Sequence, residues 1–430
     1  MVIENVNCWF KSLFGFFSRK IALLHIDSLS REFDAVCLLK STLEMSGVKV
    51  VLSSRLTTYH LCKLVTPDVV VLTHTFSLPN ALKRDLQRRG CKVFLNVVEE
   101  VLRDETYMKI LYRDDVEPER FDGIFLWSFW AKNWLLKNTR VHPSRVHAFG
   151  SIRNSLIRFT ERYKIKHRKI GFLGRFEGIN TWDRRHPFVD LAEMDPEILD
   201  VDSRYYFDKK LVDSECFCLA VKAIRELIFA GFEVVLRPHP NEDLSSYQFL
   251  KSRFGSNLTI DDGTSLINFL GSVKCVCGPV SSAFTEAYLL GVPIISFDGM
   301  QKFRYHDREI YEPLEFLSKG THQPKSVNEL VNICSQKEIK QVVSKDLSKY
   351  LKEFYSLEDQ HDEVTAVAKH LLDSIKNKQG AGLATYFAAI IIRAIIDLLR
   401  IVQAVTVRRN SFPLRSLRRY HFNSILHRKI

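Results

Sequence analysis

From position 20 onward, short apolar runs alternate with longer stretches of mixed polarity. Residues 21–26 form such a run, Asp27-Ser28 makes a polar corner, and helical spacing begins near Ser30, so the unit predicted is strand, loop, helix. The unit recurs at 48–52, at 69–72 (closing on Thr73-His74), at 93–97 and at 123–126. These runs are brief, rich in Val and Ile and mostly unalternated, which indicates parallel strands covered on both faces. A second series opens at 170–174 and continues with a helix at 216–230, a strand at 233–236 and a helix at 244–254. It ends with strands at 258–260, 272–277 and 293–297 and a helix at 282–290. The fold class predicted is α/β, with two Rossmann-like doubly wound domains facing a cleft. The domains are expected at 20–165 and 166–375, with the charged run 158–169 as linker. An aromatic N-terminal helix (1–19) and a basic amphipathic tail (376–430) flank them.

Composition narrows the class. A chain of 430 residues with 46% hydrophobic content and 30 Phe has apolar surface for two cores, which excludes disordered and collagen-like chains. The formal charge is +12, yet nine Arg or Lys against the single Asp397 put +8 of it beyond Gly380. A field gathered in one terminal segment points to a local anionic partner such as a lipid surface, and not to nucleic acid wrapped round the body. Nine cysteines without a CxxC pair fit neither a disulfide scaffold nor a zinc site. Cys275 and Cys277, two apart on a strand, share a face and read as buried free thiols, so a reducing cytoplasm fits. Trp9, Phe10, Leu13, Phe14, Phe16 and Phe17 resemble one helix face without the basic flank of a secretory signal; the face packs on the body or rests on a membrane.

Ligands of doubly wound sheets sit beyond the carboxyl ends of the strands, so polar residues just after strands are the candidates. Arg237-Pro238-His239-Pro240 follows one strand; a cation and an imidazole braced by two prolines suit an anionic phosphate, or make a Pro-rich turn with a surface His. Ser281 and Ser282 open the helix after Gly278-Pro279-Val280, where hydroxyls, free backbone N–H groups and the helix dipole favour phosphate; ordinary N-capping is the alternative. Glu286, one turn further, either accepts from ribose hydroxyls or supports that turn. Arg175, in a glycine-containing loop after the first strand of the second series, is compatible with pyrophosphate or acceptor contact, or belongs to a plain strand-to-loop turn. In the first domain Glu99-Glu100 follow a strand; two adjacent carboxylates raise one pKa toward that of a general base, or they are an acidic helix start. Ser30-Arg31-Glu32 after the first strand is a second candidate lip, with Asp27 as an outlying candidate. Asp261-Asp262-Gly263-Thr264 reads as a turn with Thr264 capping the next helix, and no ligand spacing for a metal is present. Neither GxxxxGK[ST] nor GxGxxG occurs.

Taken in order, Arg31-Glu32-Phe33-Asp34, Glu99-Glu100, 121–127, Phe149-Gly150-Ser151-Ile152-Arg153, Gly174-Arg175-Phe176, 237–243 and 281–287 resemble the bacterial surface carbohydrate biosynthesis family. That family is similar to GT-B glycosyltransferases and shares features with capsule Kdo transferases, polysialyltransferases and CDP-glycerol glycerophosphotransferases. The resemblance covers roughly residues 20 to 370. It implies that Arg237 and His239, with Ser281 and Ser282, contact the donor phosphate, and that one of Glu99 and Glu100 is the base. Val101 stands where the family carries Gly, and Ile152 where it carries Pro. The activity implied is metal-independent transfer, without a cofactor, from a nucleotide-activated sugar, with cytidine favoured, to a glycan or lipid-linked acceptor in capsule or lipopolysaccharide synthesis. A non-catalytic scaffold that binds nucleotide or glycan and a nucleotide-sugar epimerase are the competing readings.

Residues 384–407 are strongly apolar, but Arg393, Asp397 and Arg400 fall at i, i+4 and i+7 on one helical face. This predicts an interfacial amphipathic helix followed by a basic segment, and hence a cytoplasmic protein held peripherally on the anionic inner membrane, with a packed helix as the alternative.

Overall fold

The structure, a computed structural model, describes residues 20–98 (apart from 56), 105–159, 168–181, 184, 186, 203–263, 265–303, 316–354, 362–376 and 382–406. Among the described residues eleven strands form two wholly parallel sheets. The first contains β1 (Ile21–Ile26), β2 (Lys49–Ser54), β3 (Val69–Leu72), β4 (Lys92–Asn96), β5 (Gly123–Leu126) and β6 (Val146–Ala148), in the order β2-β1-β3-β4-β5-β6. The second contains β7 (Lys169–Leu173), β8 (Glu233–Arg237), β9 (Leu258–Ile260), β10 (Cys275–Gly278) and β11 (Ile294–Ser296), in the order β11-β10-β7-β8-β9.

Each order reverses once. In the first sheet the chain visits β2 and then returns across β1 to β3; in the second it runs out to β9 and returns to lay β10 beside β7. Connections leave opposite faces of the sheet at such points, which opens a crevice at the strand ends β1/β3 and β7/β10. Helices on both faces explain the unalternated strands. In the first sheet Leu23, Val51, Val70 and Leu95 enter one apolar cluster while Leu24, Leu52, Val71 and Phe94 enter another.

The chain divides into two compact units, 157–351 and the two flanks 1–156 with 352–430. The expected domain end at 375 is therefore corrected: the helix Glu363–Ile375 lies in the first unit, with Val364, Val367, Ala368 and Leu371 in the core of that sheet. Ser155 pins the returning helix, its hydroxyl 2.8 Å from both Asp362 Oδ1 and Glu363 Oε2 while it accepts from the Val364 N–H. The expected linker lies mostly outside the described residues, as does the aromatic segment 1–19. Ile152, where the resemblance expects Pro, is the first residue of the helix Ile152–Phe159, a position at which Pro is favoured but not required.

The last described helix, Leu383–Thr406, packs on the first unit with Leu383 and Ala389 buried. Arg393 reaches the edge strand and its Nη1 donates to the Leu52 carbonyl at 3.0 Å, with Asp397 3.7 Å behind it. The helix thus covers a sheet edge that would otherwise present unpaired backbone groups. Arg393 and Asp397 thus look toward the sheet. No described helix is long and apolar enough to cross a membrane.

Candidate functional site

The loops after β7, β8 and β10 meet at the carboxyl edge of the second sheet. Gly174 permits the first approach: its N–H donates to the Arg237 carbonyl at 2.7 Å, and a Cβ there would sit 3.0 Å from Pro238 Cα. Gly278 permits the second, since a Cβ on it would fall 2.6 Å from the Leu173 carbonyl oxygen. Both glycines keep neighbouring backbones close where a side chain would force them apart.

Within this frame Glu177 is the hub. His239 Nδ1 lies 2.9 Å from its Oε2, Asn241 Nδ2 donates to Oε2 at 3.0 Å, and Lys209 Nζ donates to Oε1 at 2.9 Å. Burial raises the Glu177 pKa, but the charges and hydrogen bonds of His239 and Lys209 more than offset this and hold it well below the ordinary carboxylate range. A carboxylate held ionised against Nδ1 sets the imidazole's orientation and directs Nε2, the other ring edge, away from Glu177. Next to this hub, Glu242 braces the loops, accepting from the Phe176 N–H at 2.6 Å and from the Tyr247 hydroxyl. Burial pushes Glu242 up to about 7.

At the β7/β10 crevice Arg175 Nη1 donates to the Val280 carbonyl at 2.5 Å, laying the guanidinium against the segment that enters the helix Ala283–Leu290. A pocket here is lined by Arg175, Val212, Asp213, Pro279, Asp298 and Gln301, together with Val280. Asp213 accepts from the Gly178 N–H at 2.8 Å, and burial raises its pKa. Ser282, the N-cap residue, has helical dihedrals and makes no side-chain capping bond. The Ser281 and Thr285 hydroxyl oxygens are buried without a hydrogen-bond partner, and Thr285 is only 3% exposed. A buried hydroxyl left unpaired costs roughly 1–3 kcal/mol, so two at one helix start mark a place where an acceptor-rich group would be stabilised.

The structure does not bring all the expected residues together. His239, Arg175, Ser281 and Ser282 lie on loops at the carboxyl ends of β7, β8 and β10. Arg237 departs from the expectation that it joins His239 on the donor phosphate. It is 8% exposed, its Nη1 donates to Asp261 Oδ2 at 2.5 Å on the β9 side, and its guanidinium packs over Phe269. The physical reason is competition: Asp261, at the end of the neighbouring strand, offers a carboxylate that the guanidinium takes. Asp261 thereby has a structural role, and the next helix is capped by Ser265, whose side chain accepts from the Asn268 N–H; Thr264, expected to cap it, lies outside the described residues. Glu286 is buried with Thr285 in the first helical turn. Glu99 and Glu100 also lie outside the described residues.

At the β1/β3 crevice of the first unit the structure assembles a group that the strings above touched only in part. Asp27 follows β1, and its carboxylate is 3.7 Å from His74 Nε2 after β3, 3.7 Å from Arg31 Nη2 and 3.9 Å from Arg55 Nη1 after β2. Burial opposes ionisation of Asp27, but His74 and the neighbouring cations overcome it and hold its pKa far down. Glu32 is buried, accepting from the N–H groups of Asp27 and Ser28 at 3.0 and 3.3 Å and from Arg31 Nη2 at 3.0 Å. His74 was visible only as the polar residue closing a strand, and Glu177 only as part of a glycine-containing loop; both matter because of partners about fifty and sixty residues away.

Among the described residues one cluster has metal-ligand chemistry: Cys275, Cys277 and Cys334, whose sulfurs lie within 4.8 Å of one another. All three are buried inside the second unit's apolar core, and burial pushes the Cys277 thiol well above its ordinary range. Cys275 and Cys277 are buried free thiols, as their spacing on one strand suggested.

No family model matches the chain, and no curated protein sequence matches it. Among solved structures, that of a variant of the wall teichoic acid polymerase TagF aligns with a TM-score of 0.50 at 12% identity, covering 84% of this chain and 90% of that one. The S. aureus MnaA–UDP co-structure aligns with a TM-score of 0.46 at 13% identity, over 84% of this chain and 99% of that one. The UDP-GlcNAc 2-epimerase of Methanocaldococcus jannaschii, in complex with UDP-GlcNAc and UDP, aligns with a TM-score of 0.44 at 12% identity, over 82% and 99%. The TagF likeness agrees with the fold class expected from the sequence, two Rossmann-like doubly wound units of GT-B-like type.

Proposed function

We propose that the protein is a glycosyltransferase of surface polysaccharide synthesis, of capsule or lipopolysaccharide type, with a nucleotide-activated, cytidine-linked sugar as donor and a glycan or lipid-linked hydroxyl as acceptor. The observation that carries this reading is the β7/β10 crevice, where Arg175 lies against the entry to a helix whose first hydroxyls, Ser281 and Thr285, are buried and unpaired. A diphosphate or phosphate monoester would supply the missing acceptors, and Asp213 and Asp298 in the same pocket suit hydroxyl donors such as a ribose. As an imidazolium, its Nδ1–H held by Glu177, His239 would present its Nε2–H to the phosphate.

In the transfer the acceptor O–H gives its proton to a carboxylate, expected to be Glu99 or Glu100, as its oxygen bonds to the anomeric carbon. The bond from that carbon to the phosphate oxygen breaks, and the nucleotide leaves with the electron pair. Protein donors meet that charge, so the reading assigns no step to a metal or other cofactor. A lipid-linked acceptor places the protein peripherally on the cytoplasmic side of the inner membrane.

Titration with CMP, CDP and UDP tests the donor site. Tighter binding of a cytidine nucleotide, lost in Arg175→Ala, supports the reading. Full donor turnover in Glu99→Gln, Glu100→Gln and His239→Ala alike overturns the residue assignment. Binding without turnover would make the protein a scaffold, and interconversion of free donor without acceptor would make it an epimerase.

A further inference from the structure

The Leu383–Thr406 helix is amphipathic in reverse. Its described charges, Arg393 and Asp397, pair with each other and face the edge of the first sheet, and burial lowers the Arg393 pKa. What it turns outward is apolar: Phe387, Ile390, Ile391, Ile395, Leu398 and Leu399, between 40% and 61% exposed. Their spacing follows the helical repeat, so they form one continuous stripe about 18 Å long. Solvent-facing helix surfaces ordinarily carry charge, and an apolar strip of this length on an ordered helix marks a contact face.

We propose that this stripe docks in the plane of an anionic lipid bilayer. The inference deepens the peripheral placement proposed above and rests on it, but its evidence is separate from the nucleotide site. Two observations choose the occupant. The described outward face carries no acid, because Asp397 is turned inward. The sequence from Arg400 to Lys429 then carries eight Arg or Lys and no Asp or Glu. A second copy of this chain would bring two such basic segments together, whereas anionic headgroups neutralise one. The stripe lies along a single helix, which suits insertion to the depth of the headgroup boundary.

Flotation of the full chain with vesicles of phosphatidylcholine containing phosphatidylglycerol, compared with phosphatidylcholine alone, tests the proposal. The chain should float with the anionic vesicles. The triple variant Ile391→Ser, Ile395→Ser, Leu398→Ser, which alters only exposed positions, should lose roughly a hundredfold in partitioning at any salt concentration. Replacement of Arg415, Arg418 and Arg419 by Gln should weaken binding to anionic vesicles by about a hundredfold and leave binding to neutral ones unchanged. A native chain that stays with the soluble fraction overturns the proposal, as does a serine variant that floats like the native protein. So does a lipid-free dimer that the serine variant converts to monomer, since the stripe would then be a protein interface. Cytidine nucleotide titration of the same proteins in solution separates the two readings: lost flotation with retained nucleotide binding sinks only the membrane face, and the converse only the donor site.

Discussion

Both sheets place a carboxylate and an imidazole at the strand ends where their order reverses or beside it, and the two pairs are built differently. In the second unit Glu177 and His239 make direct 2.9 Å contact, and the neighbouring helix start holds hydroxyls without partners. In the first unit Asp27 and His74 are 3.7 Å apart, and the carboxylate is ringed by Arg31 and Arg55. One edge has its acid satisfied and its donors unsatisfied, which is the electrostatic shape of an anion site. The other gathers its cations on its own acid, so its positive charge is already partly met. Loops with the same topology therefore differ in chemistry according to which groups are left over once the internal pairs have formed.

The most severe way to break the comparison is to separate the strands at the second switch point. Gly278→Ala puts a methyl 2.6 Å from the Leu173 carbonyl oxygen, a backbone atom that cannot swing aside, and should cost ~3 kcal/mol or more. Denaturation followed by hydrogen exchange should show the loss in 157–351 and not in the first unit. Next in size is a pH effect. The folded pKa of Glu242, near 7 against an ordinary 4.5, means that the native state holds this proton more tightly than the unfolded chain. Its contribution to stability is therefore full below about pH 4.5 and is lost as pH rises through 7, by up to ~3 kcal/mol. Glu242→Gln should remove that fall, gaining on the native protein between pH 4.5 and 7 in thermal melts.

Two smaller effects sharpen the contrast. Arg175→Ala should weaken cytidine nucleotide binding roughly a hundredfold by calorimetry, whereas His74→Ala in the first unit should change it by less than about twofold. Equal losses would erase the distinction between the two edges. Ser281→Ala should leave the ligand-free protein unchanged or raise its stability by up to about 1 kcal/mol, because the hydroxyl has no partner to lose, and should weaken nucleotide binding about fivefold. A destabilised Ser281→Ala protein would assign that hydroxyl to the fold.

Much of the fold was legible in the chain. The strands predicted at 21–26, 69–72, 123–126 and 258–260 coincide with those observed, because runs buried on both faces and closed by polar corners have few other solutions. β6 was missed: it is three residues long, and two of them are only half buried. The Ser203–Phe229 helix begins thirteen residues before the apolar periodicity that predicted it. Of the candidate site, the turn containing His239 and the segment at Ser281 follow strands, as read from the sequence. Glu177 was not singled out, since a single acid in a loop carries no signal until its partner is known.

The sequence by itself determined which residues alternate, which share a helical face and which polar groups follow each strand, all of which depend on the local geometry of the backbone. Tertiary structure decided where those groups point. Arg237 and His239 stand two residues apart, yet one turns to Asp261 and the other to Glu177 because carboxylates wait on opposite sides of β8. Arg393 and Asp397 share a face, as their spacing required, but that face turns inward because an edge carbonyl at Leu52 needed a donor. Periodicity specifies a face; only a partner that is distant along the chain and near in space specifies its direction.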